Sequence, residues 1–268
     1  MKHIHIQLIS LLGLFLFSTQ VSASCKDKED SVIANNLCSV IETYQSSALS
    51  ESPTLAVVIH GDAPFNQPAY HYRVAKLLAK KAQNVIAVGL LRPGYTDDFN
   101  RTSDGIRGET VGDNYDDDRI KHMAGAIDVL QQKHKARKVV VIGHSGGAAI
   151  TAKLIALYPE LVDHAVVVSC PCNINVWRKH MLKRNEYELF KGDLDISSPV
   201  DLVASIAPSA RIDLIIGSKD DVTLPTLTEE YFQLLKKHGK NVKLYTIEGR
   251  HNILQKQPAI DVILEALN

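Results

Sequence analysis

The chain has 268 residues, and 45% of them are hydrophobic, which is enough to build the core of a single α/β domain. Lys and Arg together number 30, as do Asp and Glu, so the charge balance does not indicate a nucleic acid or an anionic membrane as a partner. Aromatic residues make up 6% of the chain, too few to indicate a stacking surface for carbohydrate or single-stranded nucleic acid.

The first segment, residues 1–23, has the pattern of a cleaved export signal. Lys2 precedes an apolar run at residues 8–17, and the small residues of VSA close the segment where a signal peptidase cleaves. The run is too short to span a bilayer. We therefore expect a mature domain of residues 24–268, periplasmic or secreted, with no stable membrane insertion after cleavage. Lipid anchoring at Cys25 is a weaker alternative, because Ser22 stands where a lipoprotein signal usually has an aliphatic residue.

Four cysteines lie in the expected mature chain, and export would bring them into an oxidising compartment. They are Cys25, Cys38, Cys170 and Cys172. Three pairings are possible, and the pairing stays open. A bond between Cys25 and Cys38 would hold the N-terminal segment, whereas Cys170 and Cys172 stand too close in sequence for an unstrained bond with each other. A metal site is not favoured, because no histidine ligands lie near the thiols.

From Pro53 onward, short aliphatic segments alternate with longer helical patterns. Strands are expected at residues 54–61, 84–91, 138–145, 164–170, 211–218 and 241–249. Helices are expected at residues 70–81, 117–134, 148–158, 224–238 and 258–267. Most of the strands are continuous apolar runs, which is typical of strands buried on both faces of a parallel sheet. The expected fold class is therefore α/β, a mostly parallel, doubly wound sheet with helices on both faces.

Two polar stretches interrupt this alternation, and each follows a strand at the sheet edge where α/β proteins bind ligands. Residues 92–115 are glycine-rich and too long for a plain connection, so we expect them to be ordered against a site. A small helical lid insertion is expected at about residues 171–208, clearest over 171–199. Trp177 and Tyr187 either line a substrate pocket or pack the insertion. For Arg92 and Tyr95, a substrate-facing role and a structural role both stay open.

The sequence GHSGG at residues 143–147 connects a predicted strand to an alanine-rich helix. A sharp turn at such a place holds the middle residue in a strained conformation with its side chain exposed. Gly143 and Gly147 would avoid clashes at this turn. We therefore predict that Ser145 is a catalytic nucleophile, and the alternative is a plain structural turn.

A serine nucleophile needs a histidine base, and the histidine needs an acid that orients it. In folds of this type the acid and then the histidine follow later strands. Asp220 and Asp221 come directly after the strand at 211–218, and we favour Asp220 as the acid, with Asp221 facing solvent or capping a helix. His251 follows the strand at 241–249 and is the expected base.

Other polar residues near these strands are weaker candidates. His144 adjoins the nucleophile, but neighbouring side chains point apart at such a turn. His238 ends a helix before a glycine, where a histidine is an ordinary cap. The sequence YDDD at residues 115–118 indicates an acidic helix start rather than a metal site.

Hydrolysis of an acyl group also needs donors for the oxyanion that develops. The backbone N–H of Gly146, the residue after the nucleophile, is one expected donor. The second should come from the loop HGDAPF after the first parallel strand, where the amide of Asp62 is favoured and that of Ala63 is the alternative.

Taken in order, the motifs HGDAP, GLLRPGY, GHSGG, GSKDDV and GRHNI resemble those of the α/β-hydrolase superfamily, from about Pro53 to the C-terminus. The stretches SPVDLVASI and YFQLLKKHGKNVKLYTIEGRH resemble catalytic domains of prolyl-oligopeptidase-like and dipeptidyl-peptidase-like members, whereas HGDA resembles esterases. The resemblance implies a serine hydrolase that uses neither a cofactor nor a metal.

The favoured function is hydrolysis of a carboxylic ester or an amide, in a small-molecule or peptide substrate, through an acyl-enzyme. A small prolyl-oligopeptidase-like peptidase and an acyltransferase with the same triad are alternatives. A non-catalytic binding protein on a hydrolase scaffold is a further alternative, but such a scaffold typically lacks one triad residue. No nucleic-acid partner is expected, and the sequence does not indicate an oligomeric state.

Overall fold

The computed structural model describes Cys25, residues 29–63 and residues 66–268, so the expected export signal lies outside the described residues. Within this part of the chain, eight strands form one sheet in the order β1-β2-β4-β3-β5-β6-β7-β8. The strands are β1 (Ser31–Ala34), β2 (Leu37–Gln45), β3 (Thr54–Ile59), β4 (Val85–Leu90), β5 (Lys138–His144), β6 (His164–Val168), β7 (Arg211–Gly217) and β8 (Asn241–Ile247). Strands β3 to β8 are parallel, and β1 and β2 are antiparallel to their neighbours.

All six strands predicted from the sequence are present as β3 to β8, which confirms the mostly parallel α/β fold. The helices are α1 (Tyr70–Lys81), α2 (Asp117–His134), α3 (Gly146–Leu157), α4 (Ile174–Asn185), α5 (Pro225–Lys237) and α6 (Gln257–Leu267). Helix α3 begins two residues before its predicted start, because the turn at Ser145 leads directly into it.

Apolar side chains form a core on each face of the sheet. On one face, α2, α3 and α5 pack over residues such as Val57 and Val141. On the other face, α1 and α6 pack over residues such as Val58 and Ile142. Successive strand residues point to opposite faces, so both cores draw on the same apolar runs. The edge strand β8 differs, because its residues before Ile247 are exposed or half-buried.

The alternation from Pro53 onward does not predict the first two strands. A two-residue turn joins β1 to β2, and Asn35 and Asn36 adopt φ angles of 51° and 61° there. Asparagine tolerates this left-handed conformation, which the tightest β-hairpins require. The hairpin places β2 against β4 and so extends the sheet beyond its parallel part.

Between β6 and β7 the chain leaves the sheet at its carboxyl edge. It forms α4 and two short 3-10 helices, Glu188–Phe190 and Pro199–Ser205. Trp177, Met181 and Phe190 pack with Val111 and Leu227 in an apolar cluster apart from the two sheet cores. The helical content matches the predicted insertion, and its action as a lid stays a prediction. In the described part of the chain, no helix combines the length and the apolar character that crossing a membrane requires.

Candidate active site

Ser145 lies at the turn between β5 and α3, at the carboxyl edge of the parallel strands. Its φ of 56° and ψ of −122° are uncommon for a residue other than glycine. A Cβ on Gly143 would lie 2.1 Å from the carbonyl oxygen of Gly147, and a Cβ on Gly147 would lie 2.4 Å from that of Ile59. Both glycines are therefore required by close backbone approach. This is the strand–turn–helix geometry predicted for Ser145, and its role as a nucleophile stays a prediction.

His251 lies in the loop after β8, beside the loop that follows β7. Its Nδ1 atom is 3.0 Å from Oδ2 of Asp220 and 3.2 Å from Oδ1. A buried carboxylate at this nitrogen holds one tautomer of the ring, with the hydrogen on Nδ1 and Nε2 free to accept a proton. The structure thus brings together two of the predicted triad residues, and His251 lines the same cavity as Ser145.

The carboxylate of Asp220 is held by its own turn as well as by His251. Oδ1 accepts hydrogen bonds from the backbone N–H of Val222 at 2.9 Å and of Thr223 at 3.0 Å. The Thr223 hydroxyl donates to Oδ2 at 2.9 Å. Burial acts to raise the pKa of Asp220, but His251 and these donors outweigh it and lower the pKa below the ordinary 3.8. The group therefore stays ionised beside the ring.

Asp221, the alternative acid, points away from the histidine ring. Its side chain is 39% exposed and forms ion pairs with Arg184 at 3.0 Å and Arg250 at 2.7 Å. The geometry therefore supports the preference for Asp220, while the catalytic role of either carboxylate stays a prediction. His238 ends α5 on the surface, as its sequence position indicates.

The loop after β3 lies directly against Ser145. A Cβ on Gly61 would lie 2.8 Å from the Cβ of Ser145, and one on Gly146 would lie 2.6 Å from Oδ1 of Asp62. The predicted oxyanion donors, the amides of Gly146 and Asp62, therefore belong to two loops that meet at Ser145. Their role stays a prediction.

The side chain of Asp62 has a role that the sequence did not indicate. Its carboxylate pairs with the buried guanidinium of Arg92 at 2.9 Å and accepts a hydrogen bond from the hydroxyl of Tyr115. Arg92 also donates to Oδ1 of Asn114 at 2.6 Å. Burial opposes the charged guanidinium, but Tyr95, Asp62 and Tyr115 raise the pKa of Arg92 above its ordinary value. Arg92 therefore holds the loop of Asp62 in place through its carboxylate, which favours the structural role of Arg92.

A cavity of about 190 Å³ opens beside Ser145 and His251. Its apolar wall comes from the insertion and the loops around it, namely Val111, Trp177, Met181, Leu189, Phe190 and Val222. Trp177 both lines the cavity and packs in the insertion, and its indole N–H donates to the carbonyl of Val222 at 3.1 Å. Tyr187 lines the cavity too. Tyr95 lines an adjacent cavity of about 200 Å³ with Arg107 and Asn114.

Both cysteine pairs are disulfide-bonded in the structure. Cys25 is joined to Cys38, and Cys170 is joined to Cys172. The second pairing differs from the sequence expectation, which disfavoured it because one residue separates the two cysteines. The Cα atoms of Cys170 and Cys172 lie 5.1 Å apart, which is within the usual range for bonded cysteines.

A known protein family and the solved structures of other proteins agree with this architecture. The alpha/beta hydrolase fold family matches residues 57–195, while no curated protein sequence matches the chain. The Pyrococcus furiosus esterase Pf2001 superposes with a TM-score of 0.67 at 18% identity, covering 88% of this chain and 90% of that one. Est1E from Butyrivibrio proteoclasticus gives 0.61 at 14% identity, covering 88% and 94%. The proline iminopeptidase of Mycobacterium smegmatis gives 0.65 at 13% identity, covering 88% and 96%.

At these identities the structural similarity shows the fold, and the residues of the family match include the turn at Ser145. The match covers just over half of the chain and runs from within β3 into the insertion, beyond α4. The chain belongs to the alpha/beta hydrolase fold family.

Proposed function

We propose that this protein is a serine hydrolase that cleaves a carboxylic ester through an acyl-enzyme intermediate. One observation carries the proposal: Nδ1 of His251 contacts the buried carboxylate of Asp220 at 3.0 Å, and the same histidine shares a cavity with Ser145 at a strained strand–helix turn. A nucleophile, a base and an orienting acid are the groups that acyl transfer requires.

In the proposed reaction, Oγ of Ser145 attacks the carbonyl carbon and Nε2 of His251 takes the hydroxyl proton. The amides of Gly146 and Asp62 stabilise the oxyanion, and one such donor contributes about 3–4 kcal/mol to lowering the barrier. The bond to the leaving alcohol then breaks, and His251 returns the proton to the alcohol oxygen. His251 then takes a proton from water, which attacks the acyl carbon. The bond to Oγ of Ser145 breaks, the acid leaves, and His251 returns the proton to Ser145. Asp220 stabilises the imidazolium that forms in each step.

The cavity beside Ser145 supports a substrate with a small apolar acyl group. Its volume is about 190 Å³, and an apolar cavity of about 150 Å³ accommodates one benzene molecule. A short aliphatic chain or a single aromatic ring therefore fits inside the cavity, whereas a long fatty acyl chain would extend beyond it. The apolar side chains of Trp177, Met181 and Phe190 suit such a group.

The charges at the cavity favour an ester over a peptide with a free amino terminus. An aminopeptidase must hold an ammonium group close to the scissile bond, which calls for an available carboxylate. Among the described residues that line the cavity at Ser145, Asp62 supplies the one carboxylate, and it already binds Arg92 and Tyr115. An ester needs no such anchor.

Hydrolysis of p-nitrophenyl esters by the purified protein tests the proposal. We expect turnover of the acetate, butyrate and hexanoate, with kcat/KM at least about tenfold lower for the dodecanoate. Ser145→Ala should lower kcat at least about 10⁴-fold and abolish labelling by a fluorophosphonate probe. Ser209→Ala, an exposed serine at the opposite edge of the sheet, serves as the matched control and should retain both. Wild-type turnover by Ser145→Ala would exclude the mechanism, and faster cleavage of aminoacyl-proline amides than of esters would favour a peptidase.

Export of the chain is a separate proposal, supported by the N-terminal pattern and by the bonds Cys25–Cys38 and Cys170–Cys172. Expression of the full chain in a bacterium, followed by fractionation and N-terminal sequencing, provides the test. We expect a periplasmic or secreted product that begins at Ser24. A cytoplasmic product beginning at Met1 would contradict export, and a lipid-modified Cys25 would contradict the expected cleavage site.

A further inference from the structure

A chain of hydrogen bonds connects the loop after β3 with the backbone of His251. The backbone N–H of Gly61 donates to Oη of Tyr70 at 2.6 Å. Tyr70 Oη lies 2.9 Å from Nδ1 of His144. On the other side of this ring, Nε2 of His144 lies 3.1 Å from the carbonyl oxygen of His251. His144 is therefore linked to the loop after β3 through Tyr70 and is bonded directly to the loop that carries His251.

The chemistry of the partners fixes the direction of each hydrogen bond. A carbonyl oxygen can only accept, so Nε2 of His144 must carry a hydrogen and donate it to His251. In a neutral imidazole the other nitrogen then accepts, so the Tyr70 hydroxyl donates to Nδ1. The Tyr70 oxygen in turn accepts from Gly61. These groups specify one neutral tautomer of His144.

The surroundings of His144 keep that ring neutral. Burial lowers the pKa of His144 to about 3, and positive charge on His251 acts in the same direction. The hydrogen bond to the His251 carbonyl and the charge of Asp220 oppose this shift but do not outweigh it. The centroids of the two histidine rings are 4.9 Å apart. Because His251 must become an imidazolium during catalysis, a second charged ring at this distance would oppose proton uptake. His144 instead presents a neutral donor.

His251 needs support on its main chain as well as on its ring. It lies in a loop between the end of β8 at Ile247 and the start of α6 at Gln257. Asp220 holds the ring at Nδ1, while the carbonyl oxygen accepts from His144 and from the Ser169 hydroxyl at 3.2 Å. An error of about 1 Å in the position of a catalytic group costs roughly 100-fold in rate. Anchoring the carbonyl restricts where the ring can point.

We propose that His144 is a positioning residue. Its neutral Nε2–H fixes the main chain of the catalytic histidine, His251, and its Nδ1 is linked through Tyr70 to the loop after β3, which carries Gly61 and Asp62. This inference rests on the proposed serine-hydrolase function. His144 directly precedes the proposed nucleophile in the sequence, yet it contacts the main chain of His251, the proposed base.

Two substitutions at this position separate the two contacts. In His144→Gln, the amide nitrogen reaches the place of Nε2 and retains the donor to His251. In His144→Asn, the shorter amide retains an acceptor for Tyr70 but leaves the carbonyl of His251 without this donor. We expect His144→Gln to hold kcat within about threefold of wild type. His144→Asn should lose about 10- to 100-fold in kcat with KM little changed. His238→Asn, at the exposed end of α5, is the matched control.

Kinetics of the folded variants would overturn the inference if His144→Asn kept wild-type kcat or if both substitutions lowered it equally. Thermal unfolding of each variant is measured alongside, because a structural role would lower stability without this difference in kcat per folded molecule.

Nuclear magnetic resonance of the wild-type protein with ¹⁵N-labelled histidine tests the tautomer without any substitution or turnover. His144 should remain a neutral Nε2–H ring across the neutral and mildly acidic range. A ring that titrates near the ordinary histidine pKa, or that carries its hydrogen on Nδ1, would overturn the inference. Absence of ester turnover and of fluorophosphonate labelling in the wild-type protein would instead refute the proposed function, so the two failures are distinguishable.

Discussion

Replacing Asp220 by asparagine tests the triad through the tautomer of His251. Oδ1 of Asp220 accepts from two backbone N–H groups, those of Val222 and Thr223. The carbonyl oxygen of an asparagine would keep this place, because the amide nitrogen cannot accept there. The amide nitrogen would then occupy the place of Oδ2, which lies 3.0 Å from Nδ1 of His251. It would donate to Nδ1 and drive the ring hydrogen to Nε2.

A ring with its hydrogen on Nε2 cannot accept the proton of Ser145. We therefore expect Asp220→Asn to lower kcat about 10⁴-fold, which corresponds to about 5.5 kcal/mol in the barrier. The side chain keeps its size and most of its hydrogen bonds, so the fold should persist. Steady-state hydrolysis of p-nitrophenyl butyrate, with circular dichroism of the same samples, measures both effects.

Asp221→Asn is the matched control, because it makes the same chemical change at the next residue. That carboxylate forms exposed ion pairs with Arg184 and Arg250 and does not contact His251. Exposed ion pairs contribute little, so kcat should stay within about twofold of wild type. A larger loss at Asp221 than at Asp220, or wild-type kcat in Asp220→Asn, would refute the assignment.

Further predictions concern the turn, the buried ion pair, the pocket and acid stability. Gly143→Ala would place its Cβ 2.1 Å from a backbone oxygen and should lower the free energy of unfolding by more than about 3 kcal/mol. Gly239→Ala has open space around its Cβ but a φ of 66°, and it should lower this free energy by about 1 kcal/mol. Equal losses in the two variants would contradict the packing argument. Arg92→Met should lower the free energy of unfolding by about 3–5 kcal/mol by leaving Asp62 buried without its cation, and adding Asp62→Asn should recover part of the loss. Trp177→Ala should raise the dodecanoate-to-butyrate ratio of kcat/KM about tenfold, while the exposed neighbour Val176→Ala should leave it unchanged. Because the folded-state pKa of Asp220 lies below 3.8, its ionised form stabilises the fold above about pH 4, and this contribution is lost as the pH falls through the folded-state pKa. The difference in unfolding free energy between wild type and Asp220→Asn should therefore shrink below about pH 4, and a constant difference would contradict the shift.

The parallel part of the fold could be predicted because its strands are buried on both faces. Such strands need continuous apolar runs, and these stand out against the polar loops between them. The hairpin of β1 and β2 gives a weaker pattern, since β2 is partly exposed and its residues are mixed in polarity. The pair Asn35–Asn36 is the sequence feature that could have predicted this hairpin, because two adjacent asparagines favour a tight hairpin turn.

The residues of the candidate site also differ in whether the sequence could predict their positions. Ser145, Asp220 and His251 each follow a strand directly, so strand order alone brings them to one edge of the sheet. Tyr70 and Tyr115 reach the site from α1 and from a 3-10 helix before α2, and their approach depends on how these elements pack. Thr223 is an exception, because a threonine three residues after the acid could have been recognised as a capping partner.

The separate apolar cluster of the insertion has a consequence for how this protein could acquire new substrates. The groups assigned to bond cleavage stand on the sheet edge, whereas Trp177, Met181 and Phe190 in the cavity wall pack in a small apolar cluster that the insertion shares with Val111 and Leu227. Changes in that wall need not disturb the strands that carry Ser145, Asp220 and His251. Replacing individual side chains of that wall would therefore exchange substrate preference while the reaction chemistry is inherited unchanged.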